Sequence, residues 1–342
     1  MRLPALLFSD PHFTVNPKDE YRWKLWSWLR QKIDEESIKT LICLGDLTDA
    51  KDYHSSTLVN RLVHEIVTTA GSVERFHILM GNHDYLREGE AFFSFLNHLD
   101  HVRFITQRWD DALDDAKGPP CIFLPHTKTP AKDWEELDCS QFEYVFMHQT
   151  IKGAVASNGM KMEGEQIPDL SAWSTVYSGD IHVPQKIRGL EYIGSPYHVH
   201  FGDNFKPRCI LIDQQGKSRD LRFPSLQRLV LNLEWKADGL DHRAVLATKP
   251  GDQVKVRVRL DRADLASWPR VKREAARLLQ QAEVEIMGLE LVIAGSEARK
   301  AASMEGHKGV GFLSDPDVVS RFCEAEDLGG DVLDLGLKII DG

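Results

Sequence analysis

No run in this 342-residue sequence approaches the ~20 consecutive apolar residues that cross a bilayer, so no membrane-spanning helix is expected. CxxC pairs are missing as well. The five cysteines, at positions 43, 121, 139, 209 and 323, are odd in number and scattered. That spacing speaks against a disulfide framework or a zinc knuckle and for reduced thiols in a cytoplasm. There is no basic excess: 42 Lys and Arg against 52 Asp and Glu give a formal net charge of −10. Coating of nucleic acid through bulk charge is thereby disfavoured. The deficit is uneven, however. Residues 227–295 hold 12 basic and 10 acidic side chains, so a polyanion would be met locally. Clustered carboxylates that hold divalent ions would also reverse the field around them. Internal repeats are absent, and the opening stretch MRLPALLFSD is too short and too soon acidic for a signal peptide. It reads as a first strand.

What is present is the patterning of a layered α/β protein. Strand-like runs alternate with helical stretches up to about residue 215. The candidate strands are Leu3–Ser9, Thr40–Leu44, Phe76–Met80, Cys121–Leu124, Glu143–Met147, Thr175–Ser178 and Arg208–Ile212. Trp23, Trp26, Leu29 and Ile33 fall on one face of a helix between the first two, which makes them core rather than a stacking platform. A second helix is expected over His54–Ala70, with Leu58, Leu62 and Ile66 inward. After Phe223 and Pro224 the pattern changes. LVLNLEW, QVKVRVRL and EIMGLELVIA read as strands, with a helical run from Pro269 to Ala282 between the last two. The expected division is a main domain over 1–224, a small α+β module over 225–295, and a linker with a C-terminal segment over 296–342.

Polar residues fall where the apolar runs stop. FSDPH supplies Asp10 and His12, CLGDLTD supplies Asp46, and LMGNHD supplies Asn82, His83 and Asp84. FMHQ then supplies His148, and YSGDIH supplies Asp180 and His182. In an open α/β sheet, groups just beyond the carboxyl ends of strands converge on one crevice. Each fragment alone has an ordinary explanation as a turn or a loop. Five strands that each deliver Asp, His or Asn to the same edge do not.

This order of D-x-H, GD, GNHD, H and G-x-x-H resembles the calcineurin-like metallophosphoesterases. GDIHVPQ followed by YIGSPYHVHFGD narrows the likeness to the SbcD-type nucleases, the meiotic-recombination-eleven-like group. The resemblance implies a four-layer α-β-β-α metallophosphoesterase sandwich with a smaller α+β DNA-binding cap. It also implies a two-metal centre. Asp10, His12 and His182 would hold one ion; Asn82, His148 and residue 180 would hold the other; Asp46 would bridge them. These donors suit two divalent ions, Mn²⁺ first, with Mg²⁺ or Co²⁺ as alternatives. His83 is then the candidate for protonating the leaving oxygen or stabilising charge on phosphate, with Asp84 orienting its ring.

One position departs from the family pattern, which places histidine where this chain has Asp180. Aspartate is a competent ligand, shorter and anionic, that favours harder ions, so the site is expected to be altered and active. His54, Arg257, Arg259, Arg270, Lys272 and Arg273 are candidate DNA contacts, and His126, His198 and His200 are candidates for the crevice wall. The implied activity is divalent-metal-dependent hydrolysis of DNA phosphodiester bonds, as an exonuclease with possible endonuclease action. Implied partners are DNA, a second copy of the chain and an SbcC-type ABC ATPase, in a bacterial cell or a phage-infected host. The competing readings are a phosphoesterase for small molecules or phosphoproteins, and a non-catalytic scaffold stabilised by metal.

Overall fold

The computed structural model describes residues 1–294, apart from 88–89, 112–117, 135–136, 165–174 and 237–238. The expected segment 296–342 lies outside the described residues. The chain begins with β1 (Ala5–Phe8), α1 (Glu20–Glu36), β2 (Thr40–Cys43), α2 (Ser56–Ala70) and β3 (Arg75–Leu79). A short hairpin, β4 (Tyr85–Arg87) and β5 (Glu90–Ala91), precedes β6 (Val102–Ile105), β7 (Trp109–Asp110) and β8 (Cys121–Leu124). Then come α3 (Pro130–Asp133), β9 (Tyr144–His148), β10 (Thr175–Gly179), β11 (Gln185–Ile187), β12 (Leu190–Tyr192), β13 (Cys209–Ile212) and β14 (Ser218–Leu221). The last part holds β15 (Arg228–Lys236), β16 (Gly239–Asp241), β17 (Gln253–Leu260), α4 (Trp268–Gln281) and β18 (Glu285–Ile293).

Two six-stranded sheets form the main body, ordered β14-β13-β1-β2-β3-β6 and β11-β12-β10-β9-β8-β7. They meet through Ala5, Leu7, Ile42, Leu44 and Leu79 of the first and Phe123, Phe146 and Tyr177 of the second. The opposite face of the first sheet, with Leu6, Phe8, Leu41 and Phe76, is covered by α1 and α2. This is why its central strands read as unbroken apolar runs: both faces are buried. Trp23 and Trp26 are core residues there, and Leu58, Leu62 and Ile66 form the inward stripe of α2. Ser55 caps α2 by accepting from the Leu58 amide. On the outer face of the second sheet, the described covering is α3 and irregular segments that contribute Trp134, Cys139, Phe142 and Ile151.

A third sheet, β16-β15-β17-β18, has its own core. Val254, Val256, Val258 and Leu260 of β17 pack against Val271, Ala275 and Leu279 of α4. Lys255, Arg257 and Arg259 alternate with them and are exposed on the other face. This module is seated on the sandwich through Arg228. Its guanidinium pairs with the buried Asp19, donates to the Val199 carbonyl at 2.8 Å and to Gln253 Oε1 at 3.0 Å, and lies over the rings of Tyr21 and Phe201. Gln253 Nε2 donates to the Lys18 carbonyl at 2.7 Å beside it.

Candidate metal centre

The sandwich edge at which β1, β2, β3, β9 and β10 terminate gathers the polar residues. These strands run parallel within their sheets. Their ends lead into Asp10 and His12, Asp46, Asn82 and His83, His148, and Asp180 and His182. The turns there are tight. Asp10, His12, Asp46 and Asp180 have φ of 51°, 44°, 56° and 81°, the left-handed region that costs a non-glycine residue ~1–3 kcal/mol and clusters at functional sites. Backbone bonds hold this geometry: Asp10 N donates to the Gly45 carbonyl at 3.2 Å and His12 N to the Asp46 carbonyl at 3.1 Å. Asp180 N donates to the Asp10 carboxylate at 3.0 and 3.2 Å. Gly81 is required by close approach, since a Cβ there would overlap the Asp46 carboxylate.

Ligand-type atoms of Asp10, His12 and His182 lie within 4.8 Å of one another. The same holds for Asp10, Asp46 and His148, and for His12, Asp46 and His83. Asp46 Oδ2 faces His12 Nε2 at 3.6 Å and its Oδ1 faces His148 Nε2 at 3.5 Å, so this carboxylate looks toward both halves of the cluster. The two Nε2 atoms of His12 and His182 are 3.0 Å apart. His148 Nδ1 donates to the Leu44 carbonyl at 2.5 Å, which leaves the Nε2 lone pair free. His148 Nε2 and Asn82 Oδ1 are both buried without a hydrogen-bond partner. Asp180 Oδ1 lies 3.8 Å from His148 Nε2.

The electrostatics point the same way. Burial raises the Asp10 carboxyl to about 7. Burial, with Asp84 close by, pushes Asp46 well above the usual carboxylate range. Burial and the neighbouring imidazoles hold His12 well below its ordinary value and His182 at about 4. Acids held toward their neutral form, beside imidazoles held neutral, lack a positive charge that divalent cations would supply. The residues therefore fit such ions, and the donor set of carboxylate, imidazole and amide oxygen is free of thiolate.

Several expectations need correction. Asp84 does not orient the His83 ring. Its oxygens accept from the amides of Asp46 (2.8 Å), Leu47 (3.1 Å) and Gly81 (2.9 Å), which ties the second and third strand ends together. The His83 ring is oriented by the Asp49 carbonyl, to which Nδ1 donates at 2.9 Å. His54 is held within the protein, its Nε2 meeting Thr48 Oγ1 at 2.8 Å and its ring stacked on Phe92 at 4.1 Å. The five candidate cap cations divide between two faces. Arg257 and Arg259 lie on the open face of the cap sheet, whereas Arg270, Lys272 and Arg273 lie on α4, which covers the opposite face. Arg257 moreover faces Glu290 at 3.8 Å.

Of the three histidines expected near the crevice, two are there. The His126 ring centroid is 6.3 Å from that of His148, and His200 stacks on His182 at 5.5 Å. His198 is turned away, its Nε2 on the Phe205 carbonyl at 3.0 Å. Thr150 went unnoticed in the sequence. Its hydroxyl donates to Asp180 Oδ2, which fixes the carboxylate and leaves Oδ1 toward His148. Its position two residues after His148 was the available signal.

Residues 3–202, more than half of the chain, match the calcineurin-like phosphoesterases, and the chain belongs to that family. That family supports a metal-dependent hydrolase of phosphate esters, and the α/β sandwich gathers residues that could hold divalent ions. Among characterised proteins, it is similar to exonuclease subunit 1 of Enterobacteria phage T4, with 24% identity over 220 residues. The match covers 60% of this chain and 63% of that protein, so the chain spans less than two thirds of the relative's length. Among the described residues, no helix is long and apolar enough to cross a membrane.

Proposed function

We propose that this chain is a two-metal phosphodiesterase acting on DNA, an SbcD-type exonuclease with endonuclease capacity. The observation that carries the reading is the paired cluster around Asp46. Asp10, His12 and His182 would hold one ion on its Oδ2 side, and Asn82, His148 and Asp180 the other on its Oδ1 side. Two divalent ions bound there would polarise a phosphoryl oxygen and make a nucleophile available at neutral pH, with Mn²⁺ the first choice. The protein's own groups supply the rest. Leu44 and Thr150 aim His148 and Asp180, while Asp84 locks two ligand-bearing turns. With Nδ1 held on the Asp49 carbonyl, a protonated His83 presents Nε2–H to the leaving oxygen.

Two features favour DNA over a small phosphate ester. One is the similarity to a phage exonuclease subunit. The other is a separate α/β module docked through Arg228 on the Val199 carbonyl, next to His200, whose ring stacks on His182. The same reading extends to a homodimer and an ABC-type ATPase partner, for which the sequence resemblance is the support.

The test is hydrolysis of labelled linear duplex, single-stranded DNA and bis-p-nitrophenyl phosphate with Mn²⁺, Mg²⁺ or EDTA. Cleavage of DNA and of the small diester, abolished by chelator, is expected. Hydrolysis of the small diester with no DNA cleavage would shift the assignment to a small-substrate enzyme.

A further inference from the structure

A cavity of about 650 Å³ opens beside the metal centre, at the carboxyl ends of β3, β6 and β8. Its size falls within the ~300–1,000 Å³ of small-ligand sites. Met80 and Tyr85, which bracket the Gly81–Asp84 turn, form one side. His126 is the wall shared with the metal centre: it lies 6.1 Å from the Tyr85 ring and 6.3 Å from the His148 ring, centroid to centroid.

The charge on this wall is selective. Arg108, Lys128 and Lys132 line it, and Lys128 Nζ sits 4.9 Å over the Tyr85 ring. Arg108 and Lys132 make no ion pair among the described residues, and both are exposed. The acidic residues on the wall are engaged. Asp133 accepts from the hydroxyls of Thr127 and Thr129, and Glu90 likewise has partners. Cations thus line the cavity beside the metal centre.

We propose that this cavity is a subsite for the nucleotide adjoining the scissile phosphate, its phosphate on Lys128 and its base against Tyr85. The proposal rests on the nucleic-acid reading above and adds the path by which a strand leaves the metals. A cationic groove with an aromatic wall is the arrangement by which single strands are held without sequence preference. A small ester would fill the metal centre alone and leave the cavity unused.

The direct test is calorimetric titration of the full chain with deoxyadenosine 5′-monophosphate, with and without chelator. Binding should persist in chelator and weaken about tenfold or more in Lys128→Glu and in Tyr85→Ala, the scale of one stacked base or one phosphate contact. In the same variants, kcat/KM for a short single-stranded oligonucleotide should fall at least about tenfold further than that for bis-p-nitrophenyl phosphate. Mononucleotide binding that vanishes with the metals, or is unchanged in both variants, would overturn the subsite. Inorganic phosphate bound as tightly as the mononucleotide would overturn its assignment to a nucleotide. Lys128-dependent mononucleotide binding by a protein that leaves DNA uncut would instead keep the subsite and sink the nuclease reading.

Discussion

The candidate metal edge of the sandwich and the cap module are both polar surfaces built on parallel strands, yet they are organised in opposite ways. At the edge, the buried atoms without a hydrogen-bond partner are Ser9 Oγ, His12 Nδ1, Asn82 Oδ1, His126 Nδ1 and His148 Nε2, and the last lies 3.5 Å from Asp46 Oδ1. On the cap, the cations of β17 are exposed and partly offset: Glu234 lies opposite Arg259 in register, and Glu290 faces Arg257. The edge holds its side chains through backbone bonds and left-handed turns. Arg228 is a buried cation of the cap, and it serves docking. A fixed constellation of donors points to chemistry. A row of solvated charges points at most to a loose electrostatic contact, which tolerates change.

Substitution at His83 should break the comparison most sharply. His83→Ala should lower kcat on bis-p-nitrophenyl phosphate by ~10²–10⁴-fold and leave the bound metal unchanged, as for loss of a positioned proton donor. Because His83 also lies within 4.8 Å of His12 and Asp46 ligand atoms, metal content must be measured beside the rate. A parallel loss of metal would make His83 a ligand.

Arg228→Ala should show that the cap's contribution begins with its seat. Removing one partner of a buried ion pair typically costs ~3–5 kcal/mol, here from the contact with Asp19. Thermal or urea unfolding reads this. A loss no larger than that of Arg259→Ala would mean that Arg228 does not anchor the module.

Asp84→Asn separates bracing from catalysis. Three buried amides now donate to its carboxylate, and an amide in its place should destabilise the fold by ~1–3 kcal/mol. The melting temperature should fall together with activity. A drop in kcat at unchanged stability, with an altered pH–rate profile, would restore the role of orienting His83.

What the sequence disclosed follows the same division. Aspartate, histidine and asparagine after apolar runs were legible because strand ends converge and because those residue types have few other reasons to sit there. Strand positions agreed within one or two residues for β1, β2, β3, β8, β9, β10 and β13. β6 (Val102–Ile105) was missed, because four residues with Arg103 exposed among them carry too little pattern. The short antiparallel edge strands β7 and β11, and the three-residue β12 between β11 and β10, were missed for the same reason. The roles of Asp84, His54 and Thr150 were not legible. Each depends on a partner six to thirty-eight residues away, which only the fold brings into reach. The two-faced distribution of the cap cations was hidden too. Alternation reports which residues share a strand face, and it says nothing of which side a helix will cover.

The smallest expected effect concerns the sandwich interior. His77, on β3, is buried against Trp109 and Phe123, and burial lowers its imidazole to about 3 from 6.5. The unfolded chain therefore binds the extra proton first, and stability should fall as pH drops below 6.5, by ~1.4 kcal/mol per unit from this residue. His77→Phe should flatten the slope of unfolding free energy between pH 6.5 and 5. An unchanged slope would show that His77 does not set it.

The most direct measurement is metal stoichiometry in the wild-type chain and Asp180→Ala, by mass spectrometry after equilibration with Mn²⁺ and desalting. Two ions per wild-type chain are predicted, falling to one in Asp180→Ala, with two restored in Asp180→His. Two ions retained in Asp180→Ala with an unchanged rate, or fewer than two in the wild type at saturating Mn²⁺, would contradict the two-metal centre as assigned.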